Sequence, residues 1–496
     1  MNPAPDPRPP SPPTEPAPPP GRGASPPPTA SSPPPTRDAS PPPTASSPPP
    51  TRDASPPDVA PLSLSALVAA LAAGELSPVE AVEASLERCA VAQRYGAFVV
   101  VDDDGARRAA RRLRRQGGAL HGVPVAVKDL VDVAGLPTAA GRARGRVAAH
   151  DAAIVAALRA AGAIVLGKTR TDELGLGTST PGAVDPRDPE RSVGGSSGGS
   201  AIAVAVGAAA LAVATDTAGS ARIPAAACGV AGLCPSANGL PRGGVTSTAP
   251  SCDRVGLIAA GADDLALAWR ALTGRGWARP SRVVTLARSA LGPVDPDRAD
   301  AADRAAAALA GAASLVDRDS SRDDTPPCAG RAAAASLVDP DRAAAVVRLA
   351  APSLRAFGAP RAVLVTAEAA VRHRATDAEA PAVRAQLEYG AAVSAGELAA
   401  ARRALDDLGA ELRRGIGDGV LVLPTLPGPP PRWDEIVTVE DQLRSIGRLT
   451  RLCGPVNTSG LVAASVPYGT DAGGRPLAVQ LVAASEAAVL GAALAL

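Results

Sequence analysis

The chain has 496 residues, and its 50 basic and 49 acidic side chains nearly cancel to a formal net charge of +1. That balance gives no reason to expect a nucleic-acid or anionic-membrane partner, and so few aromatics (3 Trp, 3 Tyr, 2 Phe) argue against base-stacking platforms. No apolar run reaches the roughly 18 residues that a membrane span needs, and the opening MNPAPDPRPP lacks the apolar core of a signal peptide.

Residues 1–58 hold 25 of the 53 prolines, and ASPPPTASSPPPTRD occurs there twice in tandem, at 24–38 and 39–53. Such sequence favours extended polyproline conformations and buries too little apolar surface to fold, so a disordered tail is expected. Its PxxP spacings also suit a proline-binding domain as a partner. From Val59 the composition becomes globular, and residues 59–496 are expected to form the functional domain.

Ser77-Pro78-Val79-Glu80 has the form of a helix start, with Ser as N-cap, Pro at the first helical position and Glu two residues later. AFVVV (97–101) predicts a strand, and 105–116 a helix whose arginines form a solvated face. VPVAV (123–127) predicts a buried strand leading to Lys128; 151–162 a helix; AIVLG (163–167) the strand after it. The Ala/Asp/Arg-rich segment 296–350 is expected to be mostly helical, and VLVLP (420–424) and PLAVQLV (476–482) supply later strands. This alternation suggests α/β architecture around a largely buried sheet.

The six cysteines (Cys89, Cys228, Cys234, Cys252, Cys328, Cys453) show no CxxC spacing and are read as reduced thiols of a cytoplasmic protein. Three scattered histidines, His121, His150 and His373, do not make a zinc site, so no metal or other cofactor is expected. Of the 50 basic residues, 48 are Arg and two are Lys, Lys128 and Lys168. Arg replaces Lys cheaply as a surface charge, but it cannot serve where a proton must leave.

Two motifs are decoys. Residues 162–169 (GAIVLGKT) fit the phosphate-loop pattern, yet the intervening AIVL is strand-like where a flexible loop is needed, so Lys168 is read as structural. Gly194-Gly195-Ser196-Ser197-Gly198 fits the GxSxG nucleophile elbow. Only His373 follows it, in the charged stretch VRHRATDAEA, where a solvated histidine is expected.

A larger constellation remains. Gly194-Gly195-Ser196-Ser197-Gly198-Gly199-Ser200 is followed by a long apolar segment and by Thr217-Ala218-Gly219-Ser220-Ala221-Arg222. Paired Gly/Ser turns are common singly; two bracketing an apolar segment are not. Glycine lets backbone approach a ligand closely and aim several N–H groups at one oxyanion.

The block GGSSGGSA…TDTAGSARIPAAACGVAGL resembles the core of the amidase signature family. GVPVAVKDLVDVAGLPTAAG, AGAIVLGKTRTDELGLGTST and the C-terminal GPVNTSGLVAASVPYG…GGRPLAVQLV are similar to its other characteristic segments. The likeness runs from about Leu62 to the end. It implies a single large α/β domain, a mixed twisted sheet covered by helices on both faces, and a Ser–Ser–Lys triad. Residue by residue, Ser220 matches the nucleophile, Ser196 the bridging serine preceded by a cis peptide, and Lys128 the base. The backbone of Thr217, Ala218 and Gly219 matches the oxyanion hole, and Thr178 a substrate contact. The chemistry is coherent: a serine needs a base to become nucleophilic, and a Lys buried beside VPVAV would lose its proton near neutral pH. The sequence departs from the family pattern with AGS for GGS before Ser220, GLCPS for GLKPT, KDL for KDN, and SCDRVGL for the SLDxxGP segment.

The implied activity is hydrolysis of a small-molecule carboxamide to a carboxylate and ammonia or an amine. One other enzymatic reading is a urea-derivative hydrolase of the allophanate or biuret type, which TAGS favours. Another is the A subunit of a glutamyl- or aspartyl-tRNA amidotransferase, against which ARIP replaces IRQP. A noncatalytic homologue acting as a binding module is the reading from another class. A homodimer is compatible with all of them.

Overall fold

A computed structural model describes residues 59–113, 118–316, 346–349 and 353–496. All lie within one compact unit, Ser46–Leu496. The expected tail, 1–58, and Cys328 fall outside the described residues.

Among the described residues thirteen strands follow in chain order: β1 (Phe98–Val101), β2 (Pro124–Lys128), β3 (Pro137–Thr138), β4 (Arg146–Val147), β5 (Ile164–Thr169), β6 (Leu211–Asp216), β7 (Ala231–Cys234), β8 (Arg254–Ala259), β9 (Val283–Leu286), β10 (Val347–Leu349), β11 (Val420–Pro424), β12 (Val462–Thr470) and β13 (Pro476–Ala483). Eleven form one mixed sheet in the order β1-β5-β2-β6-β8-β7-β12-β13-β11-β9-β10, while β3 and β4 pair apart. β5, β2 and β6 run parallel as neighbours, whereas β6–β8–β7–β12–β13–β11 are antiparallel.

Both faces are buried, and the period-two alternation shows it. Val125 and Val127 of β2 enter one core with Leu211 and Val213 of β6; Ala126, Ala212 and Ala214 enter the other. Helices Leu64–Ala73, Ala153–Ala160, Ala262–Thr273 and Glu486–Ala493 cover the first face. Helices Pro78–Arg94, Asp103–Arg112, Gly198–Ala205 and Arg222–Cys228 cover the second, which is rich in alanine. Small side chains there let helix and sheet backbones come close. A Cβ added to Gly199 would sit 2.3 Å from the Ala97 carbonyl oxygen and 2.5 Å from the Arg170 nitrogen. A third core packs Gly358–Arg372 and Ala395–Ile416 beside β11.

The helix starting at Pro78 carries a full capping box: Ser77 Oγ accepts from Glu80 N at 3.2 Å, and Ser77 N donates to Glu80 Oε2 at 2.8 Å. The helix expected over 105–116 begins earlier, at Asp103, because Asp102 caps it. Of the segment 296–350, expected to be mostly helical, residues 317–345 and 350 lie outside the described ones. Pro296–Val316 is helical, but Val347–Leu349 is an edge strand parallel to β9. Its alternating Val and Leu flank Arg348, a period that a broad Ala/Arg composition conceals. No helix among the described residues is long and apolar enough to cross a membrane.

Candidate active site

Because β5, β2 and β6 are parallel neighbours, their C-terminal ends share one edge of the sheet, where open α/β sheets commonly place ligands. Lys128 is the last residue of β2, and Val127 stands level with Val213, so Lys128 lies one residue short of the level of Thr215 near the end of β6, within reach of its side chain. The Lys128 side chain is completely buried. Its Nζ donates to Thr215 Oγ1 at 2.7 Å and lies 2.8 Å from Ser196 Oγ. Burial pulls its pKa down to about 7, against the opposing field of Asp172, Asp216 and Asp253.

Ser196 follows a cis peptide bond from Gly195 and precedes the helix Gly198–Ala205. A Cβ on Gly195 would lie 2.2 Å from Asp172 Oδ2 and 2.9 Å from Ser179 N, so only glycine fits there. Asp172 is buried and accepts from the N–H groups of Ser179 and Thr180 at 3.2 and 2.9 Å. Burial pushes its pKa up, those bonds and Lys128 opposing.

Ser220 lies on the loop after β6, 6% exposed. Its carbonyl accepts from Ser197 N at 3.1 Å, which ties the two Gly/Ser segments together. Among the described residues Ser220 Oγ makes no hydrogen bond; it is not joined to Ser196 Oγ in this state. The structure thus pairs Lys128 with Ser196 directly and brings Ser220 alongside through backbone.

Sequence reasoning missed what shapes this loop. Asp216 and Arg222 form a fully buried ion pair, with Arg222 Nη2 2.8 Å from Asp216 Oδ1 and Nε 3.0 Å from Oδ2. Arg222 also donates to the Cys453 carbonyl, to Gln480 and to Asn457. Burial alone would raise the Asp216 pKa, but Arg222, Asn457 and the Gly219 N–H together hold it down to about 2. The Gly219 N–H donates to Asp216 Oδ1 at 2.8 Å, and that of Ala221 to Oδ2 at 3.2 Å. Gly219 N–H is therefore committed to a carboxylate, while among the described residues the N–H groups of Thr217, Ala218 and Ser220 take part in no such bond. The available signal was an Asp and an Arg six residues apart in an otherwise apolar block, where neither could be buried alone.

A cavity of about 330 Å³ opens beside this edge, lined by Thr215, Thr217 and the 242–255 segment. Thr178, 4% exposed, instead lines a smaller cavity of about 50 Å³ with Asp172, Gln442 and Ser445. Lys168 ends in a buried pair with Asp129 at 2.8 Å and also bonds Pro137 O and Thr138 Oγ1, the structural role expected of it on a strand. His373 is half-buried and bonds the Ser247 carbonyl at 2.8 Å, so it is not the solvated residue expected; it contacts neither serine of the GxSxG reading. No group of three or more His, Cys, Asp or Glu side chains among the described residues is placed to hold a metal ion.

Residues 80–306 match the family model described as Amidase. Over that stretch the chain matches the amidase family. The chain is 42% identical over 233 residues to the A subunit of a glutamyl-tRNA(Gln) amidotransferase from Anaeromyxobacter dehalogenans (strain 2CP-C), covering 44% of this chain and 47% of that one. The corresponding protein of Roseiflexus castenholzii is 43% identical over 217 residues, covering 41% and 44%. The alignments thus span about half the length of these curated relatives. Among solved structures, an amidase superposes with a TM-score of 0.73 at 28% identity, over 88% of this chain and 98% of that one. The 6-aminohexanoate cyclic dimer hydrolase in complex with its substrate gives 0.72 at 26%, over 88% and 96%. The amidase signature likeness therefore extends in three dimensions well past residue 306.

Proposed function

We propose that this chain hydrolyses a carboxamide C–N bond through Ser220, with Ser196 relaying protons to Lys128. The observation that carries the reading is the buried amine of Lys128, brought down near neutrality and 2.8 Å from Ser196 Oγ. Thr215 Oγ1 takes one N–H of that amine and thereby leaves the nitrogen lone pair free to face Ser196. Ser220 Oγ attacks the substrate carbonyl while its proton passes to Ser196 and that of Ser196 to Lys128. Such relays commonly close only when substrate arrives, consistent with an unbonded Ser220 hydroxyl here. The uncommitted N–H groups of Thr217, Ala218 and Ser220 are the donors for the oxyanion, with Gly219 fixing the turn between them. The proton returns to the departing amine, and water hydrolyses the acyl-enzyme by the same route.

Five described cysteines are free and buried, in keeping with a reducing cytoplasmic setting. The identity to amidotransferase A subunits favours one second reading, in which the released ammonia is passed to partner proteins; co-purification of two such partners would establish it. The direct test is ammonia release from a panel of aliphatic, aryl and ureido amides. Ser220→Ala should lower turnover by a factor on the order of 10⁶ and remove labelling by a fluorophosphonate probe. A mutant as active as the parent refutes the mechanism, and an unlabelled parent protein supports a noncatalytic binding module.

A further inference from the structure

We infer that the 330 Å³ cavity is a carboxylate subsite, so that the amide cleaved at Ser220 carries a free carboxylate of its own; this rests on the amidase reading. Two arginines line the cavity, Arg242 and Arg254. Among the described residues neither is paired with a carboxylate. Arg242 uses only Nη1, which donates to the Pro250 and Asp253 carbonyls, each at 3.0 Å. Arg254 is 4% exposed, and its two terminal nitrogens donate to the carbonyls of Ser251, Asp253 and Asn457. Its Nε is buried with no hydrogen-bond partner among the described residues, so the positive charge of Arg254 sits behind the cavity wall without a carboxylate to balance it.

The one acid in the lining, Asp253, is already saturated. Its oxygens accept from Thr217 Oγ1 at 2.7 Å, Ser247 Oγ at 2.6 Å and the N–H groups of Thr248 and Ala249. Two guanidinium groups against one occupied carboxylate leave the lining with a net positive charge. The remaining lining is hydroxyl-rich, with Thr215, Thr217, Thr246, Ser247 and Thr248. A planar carboxylate fits the fork that Arg242 keeps free, its Nε and Nη2, while Arg254 adds its charge from behind. The cavity also adjoins the chemistry: Thr215 holds Lys128, Thr217 begins the nucleophile loop, and a Cβ on Gly175 would lie 2.8 Å from Thr248 Oγ1 and 3.7 Å from Ser196 Oγ. The substrate class is therefore the monoamides of short dicarboxylic acids.

Two measurements on the full chain test this. In the first, kcat/KM is compared for succinamate and glutaramate against butyramide and valeramide. The anionic amides should be favoured by about tenfold or more, as expected for hydrogen bonds to a charged group. Arg242→Gln should erase that ratio mainly through KM, with succinate a competitive inhibitor of the parent enzyme. Neutral amides turned over equally well, an unchanged ratio in Arg242→Gln, or noncompetitive inhibition by succinate overturns the proposal. In the second, calorimetry reads succinate binding to Ser220→Ala and to Ser220→Ala/Arg242→Gln. Binding that requires Arg242 supports the subsite even if no amide is hydrolysed, in which case the amidase reading alone fails. Absence of binding, with neutral amides hydrolysed, refutes the subsite alone.

Discussion

Lys128 and Arg differ in one property that the site requires. Buried at the end of β2, the amine is brought down to about 7, so it is substantially neutral at physiological pH. A guanidinium in the same place would stay protonated. Amidase kcat/KM should accordingly rise tenfold per pH unit below about 7 and level off above it, and Lys128→Arg should be inactive across the whole range. Stability carries the same signature. The amine's folded pKa of about 7 lies below its ordinary 10.5, so between those values the unfolded chain binds more protons. Stability therefore gains from rising pH across that window, and Lys128→Met should flatten this slope in urea titrations followed from about pH 7 to 10. Lys128 was legible in the sequence because a chain with 48 arginines kept a lysine at the end of a buried strand. Thr215 was not, since a threonine at a strand end is ordinary until the amine it holds is visible.

At the level of elements, the site depends on two segments being pressed together: the Gly/Ser loop with its alanine-rich helix, and the loop after β6. Gly195 leaves no room for a side chain, with Asp172 Oδ2 2.2 Å from where a Cβ would stand. Gly195→Ala should displace Ser196 from Lys128 and abolish turnover, while circular dichroism still reports the folded sheet. The loop after β6 depends on the Asp216–Arg222 pair. Arg222→Met leaves a buried carboxylate without its partner and should cost about 3–5 kcal/mol in denaturant unfolding. The Gly/Ser loops and the strand leading to Lys128 were readable from turn chemistry and apolar runs, whereas the long apolar segment between the loops did not reveal its division into the helix Gly198–Ala205 and β6. The ion pair was not, because its partners Asn457 and Gln480 come from far along the chain. The edge strand Val347–Leu349 was missed for a similar reason: three residues give too short a period to outweigh a helical composition, and pairing with β9 decides.

For the whole molecule, alternation of strands and helices was enough to anticipate a largely buried sheet, and the family resemblance its helices on both faces, but not the strand order, which is set by contacts between distant segments. We propose that residues 59–496 fold and act without the proline-rich segment. A chain beginning at Val59 should match the full chain in melting temperature and in kcat, and a large loss in either would assign residues 1–58 a part in the fold. The arginine bias has one more effect. The only two lysines are both at 0% exposure, one held by Ser196 and Thr215 and the other by Asp129. In its native form the protein thus offers solvent no lysine ε-amine. Acylating reagents such as succinimidyl esters should tag it at the α-amino terminus alone, and a lysine-specific protease should leave it whole until it unfolds. Either reagent then serves as a reporter of global opening in a background of otherwise silent surface.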